Sequence, residues 1–382
     1  MDVVHVLRSF GDQNQPYTTH LLNTLNTLST LKHAVVCDNI YQSSKTIAVY
    51  SMSSKLRVKH FLDARYVLHC FFNKALIAST SGFSFKKRIK FFLKWKFFVQ
   101  HEPSVIHLHH LQAFNVSILK FLYSKKIPVI VSFRGKDIVT NPLEPQEQAL
   151  LFEKLKYIDR VHVISEYLKV VTIQAGVTLP IDVVYRGIGK TPLNRPALKL
   201  NTNTPIKIIC VGRLAWEKGQ FYLLDSVYRL KQKGYTFNVD IYGEGYLREF
   251  LLFRIQQLGL EGQVNLKGHV DSELLTQNYK TYHLAVQPSL YEALSNGLLD
   301  LVNNNVPCVI SKGNGMEEVI ADQINGVYFD VNTPETLDTA ILDVLKLDTE
   351  TLMAYNEGVR NQFSFNEEIK GLERMYLNYK EA

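Results

Sequence analysis

Cysteine is scarce in this chain of 382 residues, which contains four: Cys37, Cys70, Cys210 and Cys308. They lie far apart, with neither a CxxC pair nor the Cys/His spacing that binds zinc. The pattern indicates no disulfide framework and no metal centre, and it predicts buried free thiols.

Long apolar runs are also lacking. A membrane-spanning helix needs about 18 or more consecutive apolar residues, and the chain has no such run. The N-terminus, MDVVHVLRSF, enters a strand-like alternation without the basic region, apolar core and cleavage site of a signal peptide. We therefore expect a cytoplasmic protein.

The composition, 46% hydrophobic and 21% charged, is typical of a globular protein, and the length suits two domains. Short apolar runs alternate with segments of helical spacing, which is typical of parallel strands joined by crossover helices. Strands are predicted in the first half at 3–7, 33–37, 105–109, 128–133, 160–165 and 181–185.

A stretch rich in Pro, Asn, Gly and Thr at 190–205 is typical of an interdomain linker. Strands are then predicted at 206–212, 237–243, 264–268, 284–289, 307–312 and 326–330. We expect an α/β protein with two Rossmann-like, doubly wound domains, at 1–190 and 191–364, facing a central cleft that holds the active site. The terminal segment 365–382, with apolar residues at helical spacing, should pack back on the first domain. Those apolar residues are Ile369, Leu372, Met375 and Tyr376.

The segment PSLYEALSNGLLD places Glu292 just before a predicted helix and Asp300 about two turns along it. Backbone N–H groups at a helix N-terminus bind phosphate, so two flanking carboxylates suit a nucleotide sugar. The alternative is a capped helix with two surface acids.

In VGRLAWEKG, Arg213 and Lys218 follow a predicted strand, where two cations can neutralise a leaving diphosphate. In YGEG, Gly243 and Gly245 allow close backbone approach, although the third glycine of a dinucleotide fingerprint is missing. Solvated surface charges and tight turn packing are the respective alternatives.

In order along the chain, VGRLAWEKG, YGEG, LKGHV, PSLYEALSNGLLD and EEVIADQINGVYF resemble the C-terminal domain of glycosyltransferase family 4, with its GT-B fold. HLHH, SFRGKD and VISEYLKV support the resemblance in the first half. The resemblance covers roughly residues 206–346.

The resemblance implies a retaining transfer in which the leaving diphosphate helps to deprotonate the acceptor, with no metal, no other cofactor and no covalent sugar intermediate. It assigns the diphosphate to Arg213 and Lys218, the donor sugar to Glu292 and the ribose to Asp300. The backbone of Leu294, Ser295 and Asn296 would hold the phosphate or sugar, and that of His269 and Val270 the base.

Three residues depart from the family pattern. Asp300 stands where Glu is usual, Ala293 replaces a glycine, and Arg134 replaces a histidine in SFRGKD. A permanent cation at Arg134 favours an anionic donor sugar or acceptor, unless it pairs with a neighbour such as Asp137.

Other candidates in the first half are Gly11, in a loop expected to reach the donor phosphate, and His109 and Arg186 on the acceptor or sugar side. His109 is equally well interpreted as a core histidine. On closure of the domains, Gly11, His109 and Arg134 would meet the donor.

Residues 53–100 hold eleven Lys and Arg residues against a single acid, Asp63. On a helix, the lysines of 86–96 form a stripe beside aromatic residues, as on helices that bind anionic membrane surfaces. The alternative is a helix that packs its aromatic residues inward and shows its lysines to water. No nucleic-acid-binding motif accompanies the charge.

The sequence therefore predicts a glycosyltransferase that moves a sugar from a UDP or GDP sugar to a glycan or lipid-linked acceptor. Bacterial surface polysaccharide synthesis, at the inner face of the membrane, is the expected setting. A nucleotide-sugar epimerase and a non-catalytic carbohydrate- or membrane-binding subunit are the alternatives.

Overall fold

The computed structural model describes residues 1–12, 16–52, 64–188, 192 and 204–379. Lys55, Arg57 and Lys59 of the basic segment lie outside these ranges, as do most of the predicted linker and the last three residues. The chain divides into two compact units. Unit 1 comprises Met1–Ile164, Leu168–Tyr185 and Glu368–Ala382, and unit 2 comprises Ser165–Tyr167 and Arg186–Glu367.

Unit 1 is built on a seven-stranded, wholly parallel sheet in the order β3-β2-β1-β4-β5-β6-β7. Its strands are β1 (Val3–Phe10), β2 (His33–Ile40), β3 (Ala48–Ser51), β4 (Val105–Leu108), β5 (Val129–Phe133), β6 (Arg160–Val163) and β7 (Ile181–Val183). The helices up to this point are α1 (Pro16–Leu28), α2 (Ala64–Phe72), α3 (Lys74–Ser79), α4 (Phe85–Lys94), α5 (Lys96–Gln100), α6 (Val116–Ser124), α7 (Lys136–Val139), α8 (Pro145–Leu155) and α9 (Glu166–Gln174).

Unit 2 is built on a six-stranded parallel sheet in the order β10-β9-β8-β11-β12-β13. Its strands are β8 (Ile206–Val211), β9 (Phe237–Tyr242), β10 (Val264–Gly268), β11 (Leu284–Gln287), β12 (Cys308–Ser311) and β13 (Gly326–Phe329). The remaining helices are α10 (Gln220–Gln232), α11 (Arg248–Gln257), α12 (Ser272–Asn278), α13 (Asn296–Asn303), α14 (Thr336–Asp343), α15 (Thr349–Gln362) and α16 (Phe365–Leu377). Short 3-10 turns occupy Leu111–Ala113, Asn141–Leu143, Trp216–Lys218, Tyr279–Thr281, Gly315–Glu318 and Val344–Lys346.

The prediction of two doubly wound α/β sheets is confirmed, and each predicted strand is found within a few residues of its expected bounds. The edge strand β3 was missed. Its sequence, AVYS, is short and mostly exposed, so it lacks the buried apolar run that revealed the other strands.

Burial follows the sequence pattern in both units. The apolar side chains of α16 are buried at 5% exposure or less and belong with unit 1 from Glu368 onwards; they are Ile369, Leu372, Met375 and Tyr376. All four cysteines are buried free thiols, as predicted. Burial raises the pKa of Cys37 to about 11 and that of Cys210 to about 12. No helix in the described ranges is long and apolar enough to span a membrane.

Candidate functional site

The strand order of unit 2 reverses between β8 and β11, which are parallel neighbours. Open α/β sheets bind ligands at the carboxyl ends of their strands beside such a reversal. The loop after β8 carries Arg213 and Lys218, and the loop after β11 carries Glu292. The fold therefore brings the three predicted catalytic residues to one edge of the sheet.

Lys218 and Glu292 are in direct contact there. The Lys218 Nζ donates to Glu292 Oε2, and the two side chains are only 19% and 15% exposed. Arg213 is 73% exposed, and its Nη2 lies 2.8 Å from Glu217 Oε1. The site thus contains one sheltered ion pair and one cation that extends into solvent.

The loops around this pair are tied to one another through their backbones. The hydrogen bonds run from Gly243 N–H to Gly268 O (2.8 Å), from Leu214 N–H to Glu244 O (2.9 Å), from Leu290 N–H to Glu217 O (2.8 Å) and from Gly315 N–H to Glu292 O (2.9 Å). They join the end of β10 to the loops that follow four neighbouring strands, β9, β8, β11 and β12. The edge of the sheet is therefore one connected surface.

The two glycines of YGEG allow the loop after β9 to approach the loop after β8 closely. Gly243 has φ 138°, and a Cβ there would lie 2.0 Å from Gly212 O; a Cβ on Gly245 would lie 2.2 Å from Leu214 O. The close approach that the sequence predicted is thus made to the loop after β8. It is the turn packing that was named as the alternative.

The two residues expected near the base follow β10 directly. His269 is exposed and Val270 is half-buried. The Gly243–Gly268 hydrogen bond attaches their segment to the loop after β9. They share this edge of the sheet with the Lys218–Glu292 pair.

The helix after Glu292 starts later than the sequence suggested. Leu294 and Ser295 precede α13, whose first residue is Asn296. The Ser295 side chain caps the helix by accepting a hydrogen bond from Leu298 N–H at 3.3 Å. Because Ser295 and Asn296 favour a cap over a helix interior, Asp300 lies about one turn into α13, not two.

Two of the three departures from the family pattern, Ala293 and Asp300, lie in unit 2 and are accommodated by their surroundings. Ala293 is 2% exposed and does not have the left-handed backbone that would require glycine. Asp300 is half-buried. Burial of the Tyr279 phenol is the largest cause that raises its pKa, and the charge of Asp300 is the second largest. Asp300 therefore lies close enough to the buried Tyr279 for its charge to act on the phenol.

An exposed aromatic group beside the ion pair was missed by sequence reasoning. The Trp216 ring is 48% exposed and lies 6.1 Å from the Tyr291 ring, and Trp216 N–H donates to the Tyr246 hydroxyl at 3.1 Å. A tryptophan in the loop that carries both predicted cations was the available signal.

In unit 1 the strand order reverses between β1 and β4. Gly11 follows β1, with φ 73° and a hydrogen bond from its N–H to Thr19 Oγ1 at 3.1 Å. His109 follows β4 and Arg134 follows β5. Arg186 belongs to unit 2, where it begins the segment Arg186–Glu367.

His109 and Arg134 contact each other. The Arg134 Nη2 lies 2.9 Å from His109 Nδ1, whereas the Arg134 main-chain N–H donates to Asp137 Oδ2 at 3.2 Å. His109 is 2% exposed, and its Nε2 lies 3.1 Å from His5 Nδ1. His109 is therefore part of a buried network, which agrees with the core-histidine alternative.

Sequence reasoning missed the rest of this network. Its other members are His5, His33, His107, Ser132, His162 and Tyr376, all buried. The signal was present, because several histidines interrupt otherwise apolar strands. Buried polar groups at such positions need hydrogen-bond partners within the protein.

Three of these histidines are near enough to one another to share a metal ion. Among the described residues, ligand atoms of His5, His107 and His109 lie within 4.8 Å of each other. A metal-bound imidazole normally donates its second N–H to an acceptor, but the second nitrogen of His109 faces the Arg134 guanidinium. The arrangement thus suits a hydrogen-bonded network better than a cation.

Unit 1 also has a solvent-open pocket that is lined in part by Asp137, Glu147 and Lys154. Lys154 is 6% exposed and donates to Leu111 O at 3.2 Å. Burial lowers the pKa of its ammonium group, while Glu147 opposes the shift.

The basic helix α4 and the residue that follows it bury three aromatic side chains, whereas Phe85 at the start of the helix is exposed. Phe91, Phe92 and Trp95 are at most 4% exposed, whereas Lys86, Lys87 and Lys90 are exposed. This is the arrangement that was named as the alternative to a membrane surface built from those aromatic rings. The exposed apolar residues nearby are Leu68, Phe72 and Phe85, at 60%, 78% and 68% exposure.

Two family models match the two halves of the chain. Glycosyltransferase Family 4 matches residues 19–189, and Glycosyl transferases group 1 matches residues 193–362. The chain belongs to glycosyltransferase family 4. The family assignment made from the motifs is therefore confirmed.

Relatives of this family 4 member include an uncharacterized glycosyltransferase of Methanocaldococcus jannaschii, 29% identical over 138 residues, which are 36% of this chain and 35% of the relative. Alpha-D-kanosaminyltransferase of Streptomyces kanamyceticus is 30% identical over 132 residues, or 34% of each chain. The matches thus span about a third of these relatives.

Among solved structures, Anabaena HepE in complex with UDP and glucose matches with a TM-score of 0.67 and 14% identity, over 98% of this chain and 99% of that chain. This likeness shows the fold. The GT-B class predicted from the sequence is confirmed.

Proposed function

We propose that this family 4 member is a retaining glycosyltransferase that transfers a sugar from a nucleoside-diphosphate sugar to a glycan or lipid-linked acceptor. The observation that carries the proposal is the Lys218–Glu292 pair at the reversal point of the unit 2 sheet. Lys218 and Arg213 bind the diphosphate, and Glu292 binds hydroxyl groups of the donor sugar.

The chemistry follows from where charge develops. Breaking the glycosidic bond leaves negative charge on the diphosphate, which two nearby cations stabilise. Glu292 positions the Lys218 ammonium through their ion pair, and the exposed Arg213 side chain can fold over the donor. The released phosphate oxygen then takes the acceptor proton on the same face, so that the anomeric configuration is retained.

The remaining donor contacts are proposed on the same edge. Asp300 contacts the ribose, the backbone of Leu294, Ser295 and Asn296 holds the phosphate or sugar, and the segment after β10 holds the base. No metal ion is needed, because the two cations supply the positive charge. UDP is the nucleotide favoured over GDP, on the support of the HepE complex with UDP and glucose.

On the acceptor side, we propose an anionic group bound near Arg134. The proposed setting is surface polysaccharide synthesis in bacteria, where acceptors are often carried on lipid. Unit 1 would then meet an anionic membrane surface through the exposed lysines of α4 and the apolar side chains of Phe72 and Phe85 beside them.

Calorimetric titration with UDP and GDP, followed by transfer assays with sugars of the nucleotide that binds, tests the proposal. UDP binding that persists in EDTA, and a product of unchanged anomeric configuration by NMR, are the expected results. Epimerisation of the donor without an acceptor would favour the epimerase alternative. Absence of binding by either nucleotide would favour the non-catalytic one.

A further inference from the structure

Four side chains form a hydrogen-bonded chain across the sheet of unit 1. Arg134 Nη2 lies 2.9 Å from His109 Nδ1, His109 Nε2 lies 3.1 Å from His5 Nδ1, and His5 Nε2 lies 2.9 Å from His33 Nδ1. The three histidines are at most 4% exposed. Within the chain the ring nitrogens therefore pair with one another, and at its end the buried His33 Nε2 has no hydrogen-bond partner among the described residues.

The direction of this chain follows from its first member. A guanidinium can only donate, and a neutral imidazole has one donor and one acceptor nitrogen. His109 Nδ1 must accept from Arg134, so its proton is on Nε2, which donates to His5 Nδ1. By the same argument His5 carries its proton on Nε2 and donates to His33 Nδ1. Each ring is thereby assigned as the neutral Nε2–H tautomer.

A second hydrogen-bonded chain lies beside the first. Its direction is set by a group at its end that can only accept a hydrogen bond, whereas Arg134 can only donate one. His162 Nε2 lies 3.2 Å from the carbonyl of Val184, which can only accept, so His162 Nδ1 accepts from Ser132 Oγ at 2.8 Å. Ser132 Oγ then accepts from His107 Nε2 at 2.7 Å, and His107 Nδ1 accepts from the Tyr376 hydroxyl at 2.6 Å. This chain does not depend on Arg134 for its direction.

The surroundings agree with neutral rings. Burial is the largest cause that lowers the pKa of His5 and of His109, and it lowers the pKa of His33 to about 4 although two carboxylates oppose the shift. The charged and titratable groups that face the chain include Asp2 and Glu373 at His33, and Arg134, His107 and His110 at His109. The Tyr376 ring also faces it, at 5.7 Å from the His5 ring and 5.9 Å from the His33 ring. A second proton on any of the three rings would also make its Nδ1–H face the N–H group from which that nitrogen now accepts.

We propose that Arg134 is a positioning residue that sets the direction of this chain, fixing His109, His5 and His33 as Nε2–H tautomers, while the chain holds the guanidinium in one place at the carboxyl end of β5. A histidine at position 134 would itself titrate near neutral pH, whereas arginine stays charged. The consequence for transfer rests on the proposed function: the acceptor side of the site then presents the same charge throughout the neutral pH range.

Nitrogen-15 NMR of the histidine rings in the 382-residue protein tests the tautomer assignment without any variant or substrate. A protonated and an unprotonated ring nitrogen have well-separated shifts, so each tautomer is read directly. At pH 7.5 we expect His109, His5 and His33 to be neutral with the proton on Nε2. An Nδ1–H tautomer or a doubly protonated ring at any of the three overturns the proposal.

Two variants test which group sets the direction. Arg134→Met removes the donor and should populate the Nδ1–H tautomer of His109, whereas Arg134→Lys keeps a donor-only group and should restore the wild-type shifts. Tyr376→Phe is the matched control, because it should alter His107 and leave His109 unchanged. Unchanged His109 shifts in Arg134→Met, or equal changes in Tyr376→Phe, would refute the role of Arg134.

The activity measurement is kept separate from the tautomer measurement. Across pH 6 to 8, Arg134→His should add an inflection in kcat/KM near pH ~6.5, which wild type and Arg134→Lys lack. An Arg134→His profile that matches wild type overturns the catalytic consequence. Complete lack of transfer by the wild type would count against the proposed function, while the NMR result would still decide the tautomers.

Discussion

Lys218 and Glu292 are 74 residues apart in sequence, yet they form an ion pair whose two side chains are less than one-fifth exposed. Parallel pairing of β8 with β11 places the loops that carry them side by side. Removing one partner would leave the other charge sheltered and unpaired, so the pair is sensitive to substitution of either residue.

The Gly243→Ala variant should be strongly destabilised. Its Cβ would lie 2.0 Å from Gly212 O, and the backbone at φ 138° is unfavourable for alanine. We expect a loss of about 3 kcal/mol or more in the free energy of unfolding, measured with urea.

Gly358→Ala is the control for that measurement. Gly358 lies within α15, and no atom lies within 4 Å of the Cβ that would be added. Because alanine favours a helix, this variant should gain up to about 1 kcal/mol. Equal stability of the two variants would contradict the close packing described for the YGEG loop.

The architecture was readable from the sequence because parallel strands buried on both faces leave continuous apolar runs. The order of the motifs likewise indicated the family, and the resemblance assigned Arg213, Lys218 and Glu292 to one donor site. The position of Glu292 could be predicted from the strand that precedes it, but the start of α13 could not, because the Ser295 cap ends the loop later than the apolar pattern suggests.

The sequence shows histidines that interrupt apolar strands, but it could not predict which of them pair, because no local pattern states which strands are neighbours. Val3–His33 and His5–His107 pairing in the sheet sets the network, and Tyr376 joins it from the far end of the chain. The role of Arg134 also required the structure, since the sequence offered only a neighbour such as Asp137 as its partner.

Stability should fall as the pH is lowered through the range of histidine titration. In the folded protein the pKa of His33 and that of His162 are lowered to about 4, against about 6.5 in an unfolded chain. A lowered folded pKa contributes stability that is complete above pH 6.5 and is lost as the pH falls toward 4.

Urea unfolding between pH 8 and pH 4 tests this. Each of the two histidines should contribute a loss of about 3 kcal/mol over the full range, and the other buried histidines should add to it. Below pH 5 carboxylates also titrate, so the decisive interval is pH 6.5 to 5. A free energy of unfolding that is constant over that interval would show that the histidines are not held neutral.

Asp300→Asn should weaken nucleotide binding. If the carboxylate accepts a ribose hydroxyl, its replacement by a neutral amide should cost about 1.5 kcal/mol, or about tenfold in Kd for UDP. The measurement is isothermal titration of UDP. Asp343→Asn, at an exposed ion pair with Lys346, is the control and should bind as wild type does. Equal Kd values for both variants and wild type would remove Asp300 from the ribose contact.

Vesicle sedimentation tests the membrane proposal. Each of three exposed lysines of α4 should contribute about 1 kcal/mol to binding at an anionic surface. Replacing all three by serine should therefore lower the partition coefficient onto anionic vesicles by about a hundredfold. The variant combines Lys86→Ser, Lys87→Ser and Lys90→Ser.

The control removes the same charge from other exposed lysines, through Lys126→Ser, Lys156→Ser and Lys346→Ser. It should retain binding to phosphatidylglycerol vesicles, and neither variant should bind phosphatidylcholine vesicles. Equal losses in the two variants would mean that net charge matters and the α4 surface does not.

The most direct test of the Lys218–Glu292 pair is the rate of sugar transfer from the nucleotide sugar that supports activity in the wild type. Glu292→Gln and Lys218→Met should each lower kcat by about 100- to 1000-fold, as expected when a group that stabilises the transition state is removed. Lys346→Met, at an exposed ion pair, should retain wild-type activity. Wild-type kcat in a correctly folded Glu292→Gln protein would contradict the account.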